Sequence, residues 1–339
     1  MELRPSTTSL ALAEDFAIAR GSRTTQEVVR VELEHDGVVG RGEAAPIYYR
    51  GESTASALAF LRDEAPARIA AAGDDPFDLE RIGDAVWCGG SEAGARAALD
   101  AALHDWVGRR LGVPLWRLLG LSRAVPPTSY TIGIDSVEGT RDRARRARNF
   151  AALKVKVGGA DDLERLAAVR DESPVPLRVD ANEGWTLESA RELLPALVEL
   201  GVELIEQPFP AEDPDSFRAL RELQPRPPIV VDEGCHDLRD VATVAGYADA
   251  INIKLAKAGG VREAVRMAHA ARALGLGIML GCMVESQLAV APAAHIASLA
   301  AWVDLDGHLL LAEQPFVGLE LRDSRVIPAA TPGLGVEPA

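Results

Sequence analysis

The sequence of 339 residues has no apolar run approaching the roughly 18 residues that a membrane span requires. Its first segment, MELRPSTTSLALAEDF, meets charge too early to read as a secretory signal. Both absences predict a soluble, cytoplasmic protein with no membrane partner. Cysteine is scarce: Cys88, Cys235 and Cys282 lie far apart and form no CxxC pair, which argues against a disulfide framework or a thiolate zinc site. The six histidines form no HExxH or HxH cluster. Positive charge is short as well, with 36 Lys and Arg against 51 Asp and Glu, a net −15. A nucleic-acid surface needs clustered Lys and Arg, so this balance excludes nucleic acid as a partner.

What the chain does contain is a repeat. LKVKVGG, from Leu153, reads as a buried strand closed by glycines, and similar segments recur about every 25 residues: SYTIGI from Ser129, LRVDAN from Leu177, ELIEQP from Glu203, PIVVDEG from Pro228, AINIKLA from Ala250, GIMLGC from Gly277 and WVDLDG from Trp302. Stretches with helical periodicity, such as DDLERLAAVRDE and TLESARELLPALVELG, separate them. Strand and helix alternating eight times predicts an α/β fold of the (β/α)8, TIM-like barrel type. An open doubly wound sheet is the rival, but no GxGxxG turn follows the first strand.

The segment before Ser129 breaks the pattern. EVVRVELEHDGVVGRGEAAP reads as a hairpin turning at Asp36-Gly37, and residues 53 to about 120 are Ala-, Leu- and Arg-rich with helical spacing. The expected organisation is an N-terminal α+β capping domain over 1–120, a catalytic barrel over 121–314, and a C-terminal tail, 315–339, that packs back on the capping domain and completes it.

Barrel chemistry sits at the C-terminal ends of the strands. Here those ends carry Lys154 and Lys156, then Asp180, Glu206, Asp232, Lys254, and on the eighth strand Asp304 and Asp306. Any one of these carboxylates would read as a helix cap, and a single lysine as an exposed edge. Capping does not explain three successive strands ending in carboxylates with lysines on both sides. Asp180, Glu206 and Asp232, on adjacent strands, form an oxygen-only set that calls for Mg²⁺, or Mn²⁺ in its place, with Asn182, Gln207 and Glu233 beside them as supporting groups. Lys156 and Lys254, four strands apart in a ring of eight, should face each other across the mouth. A carboxylate substrate between them would offer one face of its α-carbon to each amine, the arrangement for removing a proton on one side and returning one on the other. Burial and the charges of Lys154 and the metal are expected to hold Lys156 neutral, while Lys154 points at the substrate carboxylate.

At these residues the sequence resembles the enolase superfamily, muconate lactonizing enzyme subgroup, and within it the dipeptide epimerases. The resemblance rests on the KxK of LKVKVGG, RVDANEGW, IEQP, VDE, INIKLAKAGG, GCMVES and ALDAALHDWVGRRLGVPLWRLLG, and it spans nearly the whole chain. The general use of a lysine base with Mg²⁺ in this superfamily is established. The resemblance implies epimerisation of the C-terminal residue of a dipeptide by 1,1-proton transfer through an enediolate, the L-Ala-D/L-Glu type being one form. It also implies that Asp304 and Asp306 bind the substrate ammonium group, and that Thr131 and the run Cys282, Met283 and Val284 touch the substrate. In the L-Ala-D/L-Glu members a loop arginine meets the glutamate carboxylate; a gap-free register puts Gly21 there, flanked by Arg20 and Arg23, while Tyr48 and Tyr49 would suit an apolar or aromatic side chain.

Other reactions of the subgroup stay open: o-succinylbenzoate synthesis, N-acylamino acid racemisation and cycloisomerisation. So does a barrel without catalysis that binds only a metal or a peptide. A homo-oligomer is compatible with the sequence.

Overall fold

The computed structural model describes residues 1–87 and 89–339; Cys88 lies outside the described residues. Three antiparallel strands, β1 (Glu2–Ile18), β2 (Gly21–His35) and β3 (Val38–Ala44), open the chain. The expected hairpin is β2 to β3. Asp36 (φ 48°) and Gly37 (φ 72°) both take the left-handed backbone that a tight two-residue hairpin turn requires. Strand β1 was not anticipated, because it is exposed along most of its length and carries no clean apolar alternation. Helix Ala93–Leu111, alanine-rich and buried along most of its length, lies directly against β3. Gly40 and Gly42 allow that approach, since a Cβ at either would run into the carbonyl oxygens of Ala102 or Ala98.

Eight parallel strands follow: β4 (Tyr130–Ile132), β5 (Leu153–Lys156), β6 (Leu177–Asp180), β7 (Val202–Glu206), β8 (Ile229–Val231), β9 (Ala250–Lys254), β10 (Gly277–Gly281) and β11 (Trp302–Asp304). They hydrogen-bond in chain order, and Ser129 N donating to Val303 O at 3.0 Å brings the two edges together. All eight expected strands are present, in a nearly closed barrel. The intervening helices start on side-chain caps that the sequence supplies, among them Thr186 with Ser189 and Asp237 with Asp240. Leu204, Val230, Ala250 and Met279 make a small buried cluster on β7 to β10, apart from the large core that joins the strands to the helices.

The C-terminal segment crosses back over both parts. Leu334 N donates to Asp105 Oδ1 at 2.8 Å, Trp116 Nε1 to Ala329 O at 3.1 Å, and Arg109 pairs with Glu337 at 2.7 Å. Asp105 also accepts from Arg41 N, so one buried carboxylate ties helix, sheet and tail together. Among the described residues no helix is long and apolar enough to cross a membrane.

Candidate active site

Strand register fixes the site. Lys156 pairs with Asp180 and Asp180 with Glu206 across β5, β6 and β7, so the last residues of three neighbouring strands stand level. Asp232 follows β8 directly, and Lys254 closes β9. All five side chains are buried. Lys156 Nζ lies 2.6 Å from Asp180 Oδ2, on one flank of the carboxylates; Lys254 Nζ lies 2.7 Å from Asp232 Oδ2, on the other. Strands β5 and β9 are four steps apart in the sheet order, and both lysines line one cavity of about 90 Å³ under the capping domain.

Lys154 sits deepest, with Nζ 2.9 Å from Asp180, 2.7 Å from Glu206 and 2.8 Å from Asp304. Lys154, Asp304 and Asp306 all line the cavity and are buried: Asp304 also accepts from Ser129 Oγ at 2.5 Å, and Asp306 from Thr131 N at 2.5 Å.

The electrostatics are those of charges balanced in a dry place. Burial pushes every carboxylate up, yet Lys154, Lys156 and Lys254 hold Asp180 below its usual range, and Lys254 and Lys257 hold Asp232 well below. Glu206 is the exception: burial and the charges of Asp180 raise it to about 7. Asp306 likewise rises to about 7, through burial and the charge of Asp304. Burial lowers the lysines, but Asp180, Asp304 and Glu206 carry Lys154 well above the ordinary ammonium range, and Asp232 and Glu206 raise Lys254. Lys156 Nζ itself is held by Asp180 and by Asn182 Oδ1 at 2.9 Å.

Among the described residues no three carboxylate, imidazole or thiolate groups form a ready-made metal cage as they stand, since each carboxylate leans on a lysine. The donor set nevertheless fits a hard divalent cation. Three oxygen ligands converge, and Glu206 Oε2 is buried without a hydrogen bond, with the Lys154 ammonium 2.7 Å away.

The supporting residues are held by backbone strain and hydrogen bonds. Asn182 (φ 42°) and Gln207 (φ 37°), just past the ends of β6 and β7, both occupy the left-handed region that non-glycine residues adopt at a cost. Gln207 Oε1 accepts from Asp232 N at 2.8 Å, and Asn182 Nδ2 donates to Glu233 Oε1 at 3.1 Å. Two partners were missed by sequence reasoning. Asn252 donates to Glu206 Oε1 at 2.8 Å, and buried Lys257 reaches Asp232 Oδ1 at 2.5 Å. Asn252 stands two residues before Lys254 on the same face of β9, so alternation could have found it. Lys257 lies on the short helical turn after that strand, where strand alternation carries no signal.

Thr131, Cys282, Met283 and Val284 line the same cavity, as do Arg20, Arg23, Tyr48 and Tyr49 from the capping domain. Burial, with Asp306 and Asp304 nearby, keeps the Cys282 thiol protonated. Arg20 meets Glu233 at 2.5 Å and Glu183 at 3.1 Å, its charge carried 5.0 Å above the Tyr49 ring. Arg23 donates to the neutral Gln26 amide at 2.5 Å and stacks on Tyr48 at 4.8 Å.

Residues 139–339 match the family described as enolase C-terminal domain-like, and residues 6–120 match the mandelate racemase / muconate lactonizing enzyme N-terminal domain. The chain is similar to the L-Ala-D/L-Glu epimerase of Bacteroides thetaiotaomicron, 38% identical over 96% of this chain and 85% of that one. Its fold is similar to that of the substrate-liganded L-Ala-D/L-Glu epimerase from Bacillus subtilis, with TM-score 0.93 and 31% identity over 100% and 99% of the two chains. It also resembles the dipeptide epimerase from Enterococcus faecalis complexed with Mg and L-Leu-L-Tyr, with TM-score 0.89 and 30% identity over 99% of each chain.

Proposed function

The chain belongs to the mandelate racemase / muconate lactonizing enzyme family of the enolase superfamily, and from that premise we propose that it is a dipeptide epimerase inverting the α-carbon of the C-terminal residue. The observation that carries the reading is the position of two amines on opposite flanks of one carboxylate trio, Lys156 at Asp180 and Lys254 at Asp232, both opening into one cavity.

In this reading Lys156 and Lys254 exchange protons with the α-carbon from its two faces, one taking a proton while the other gives one. In a given direction the neutral amine takes the α-proton and becomes an ammonium, while the opposite ammonium gives its proton to the other face and becomes neutral; the carboxylate partner of each steadies its charged form. Asp180, Glu206 and Asp232 hold Mg²⁺, and Mn²⁺ with the same oxygen preference can replace it. When bound, the metal supplies positive charge for the substrate oxygens on which negative charge develops. Asn182 orients Lys156, and Gln207 fixes the backbone of Asp232. Asp306, whose carboxylate accepts from Thr131 N, receives the substrate ammonium together with Asp304. The substrates of N-acylamino acid racemisation, o-succinylbenzoate synthesis and cycloisomerisation have no free α-ammonium group to place there, which disfavours all three.

Arg23 favours an acidic C-terminal residue. Arg20 is matched by two carboxylates, whereas Arg23 has a neutral amide and a ring as partners. Ile18, Met283 and Val284 on the same cavity are what an apolar residue would use instead.

A dipeptide library incubated with enzyme and Mg²⁺ in D₂O and read by mass spectrometry tests the proposal: an epimerised dipeptide gains one deuterium. A free dipeptide should turn over and its N-succinyl analogue should not. Turnover of the acylated compound alone would move the assignment to racemisation of N-acyl amino acids, and binding without exchange would leave a barrel that only holds its ligand.

A further inference from the structure

Strand β1 breaks its ladder with β2 at one place. Ala11 pairs with Thr25 and Phe16 with Arg23, so four residues, 12 to 15, stand opposite Thr24 alone. Bulges of this kind bend a strand and re-aim its side chains, and they gather near active sites. This one is pinned on both sides, by Ala312 N donating to Ala11 O at 2.9 Å and Ile134 N to Ala17 O at 2.8 Å. Glu14, inside the bulge, reaches helix Val137–Arg146, 2.7 Å from Arg143 and 2.8 Å from Arg146.

The bulge, β4 and that helix line a second cavity of about 260 Å³ beside the catalytic one. Phe16, Thr131 and Leu310 line both, so the two spaces adjoin along these side chains. The proposed chemistry makes no use of the second. Its walls are aromatic and apolar: Phe16, Tyr130 and Phe150, the last two with ring centroids 4.7 Å apart, together with Ala13, Ala147 and Leu309. Of its ionic residues, Glu14 pairs with Arg143 and Arg146, and exposed Asp15 stands at its edge.

The shared wall stands beside the proposed ammonium site, since Thr131 N donates to Asp306 Oδ2. In an amino-terminal residue the side chain leaves the same carbon as the ammonium group. A substrate held by Asp304 and Asp306 therefore carries that side chain close to Thr131, which lines both cavities.

We propose that the second cavity receives the side chain of the substrate's N-terminal residue, and that the enzyme accepts aromatic residues at that position. The inference rests on the dipeptide epimerase reading above. It assigns the β1 bulge a role in choosing the first residue, separate from the arginine and tyrosine side of the cavity that meets the second.

The test compares kcat/KM for L-Tyr-L-X and L-Ala-L-X, where X is one C-terminal residue that the wild type turns over. The wild type should process the tyrosyl dipeptide at no less than one tenth the efficiency of the alanyl one. Ala13→Trp, from the exposed bulge, and Leu309→Trp, from the opposite wall, fill the cavity and should each lower the Tyr-to-Ala ratio at least tenfold, chiefly through KM. Two variants on different walls keep the test alive if one of them does not fold, which circular dichroism shows directly. A wild-type ratio below one tenth, or filling variants that fold yet shift the ratio less than tenfold, overturns the subsite while leaving the epimerase reading in place. Absence of turnover on every dipeptide overturns the reading itself and the subsite with it.

Discussion

The two walls of the catalytic cavity are built in different ways. The barrel wall consists of strand ends whose level is set by the sheet register: Lys154, Lys156, Asp180, Glu206, Asp232 and Lys254 are all buried, and each touches an opposite charge. The capping wall consists of the β1–β2 turn and the segment around Tyr48 and Tyr49. There the arginines are partly exposed, Tyr48 is 46% exposed, and cations rest on aromatic rings. Charges on strands cannot shift without breaking the ladder, so this wall suits a reaction that must be the same for every substrate. Side chains on a turn can change without disturbing the barrel, which suits selection among substrates.

The largest effect should come from the barrel wall. Asp232→Ala removes one of three oxygen donors and strands Lys254 and Lys257 without their partner. Activity should fall by a factor on the order of 10³ or more, and a chelator should abolish wild-type turnover until Mg²⁺ is restored. A variant that keeps more than a tenth of its activity would break the distinction between the walls.

An intermediate effect belongs to the capping wall. Arg23→Gln should lower kcat/KM for a dipeptide ending in Glu by roughly 10- to 100-fold, the size of one charge-assisted contact, and leave a dipeptide ending in an apolar residue nearly unchanged. Equal losses on both would place Arg23 in the general machinery and blur the comparison.

The smallest effect lies outside both walls and serves as a control on how buried charge is handled. His295 accepts from Trp116 N at 3.0 Å and meets Leu334 O at 3.1 Å, and burial lowers its pKa from 6.5 to about 4. A folded-state pKa below the unfolded one means that between these values the unfolded chain takes a proton that the folded chain refuses. Stability is therefore full above pH 6.5 and declines as pH falls toward 4, by at most about 3 kcal/mol for this group. Urea unfolding at pH 7.5 and 5 should show the decline, and His295→Gln should make it shallower; His308, lowered to about 4 by burial, contributes in the same direction.

The two walls also differed in how far the sequence disclosed them. Strand ends were legible because period-two alternation and an even 25-residue spacing say which residue ends each strand and which way it points. The eight strands and the chain order of their charged ends followed from that. Their electrostatics did not, because Lys154 meets Glu206 and Asp304 across the barrel, and no linear pattern reports which of several opposite charges an amine will choose. On the capping side even β1 was hidden, since an exposed strand with Pro5 and a four-residue bulge gives no periodic signal. Arg20 and Arg23 look alike in IARGSRTT, and only the fold shows that one is matched by carboxylates and the other by an amide.

The central claim is that two lysines address one carbon from contrary sides, and single-lysine variants test it most directly. Lys156→Ala and Lys254→Ala, each incubated with both diastereomers of a dipeptide substrate in D₂O, should lose inversion entirely. Each variant should still wash deuterium into one diastereomer with retention, and the two variants should choose opposite diastereomers. Inversion persisting in either variant, or both variants exchanging the same diastereomer, would contradict the account.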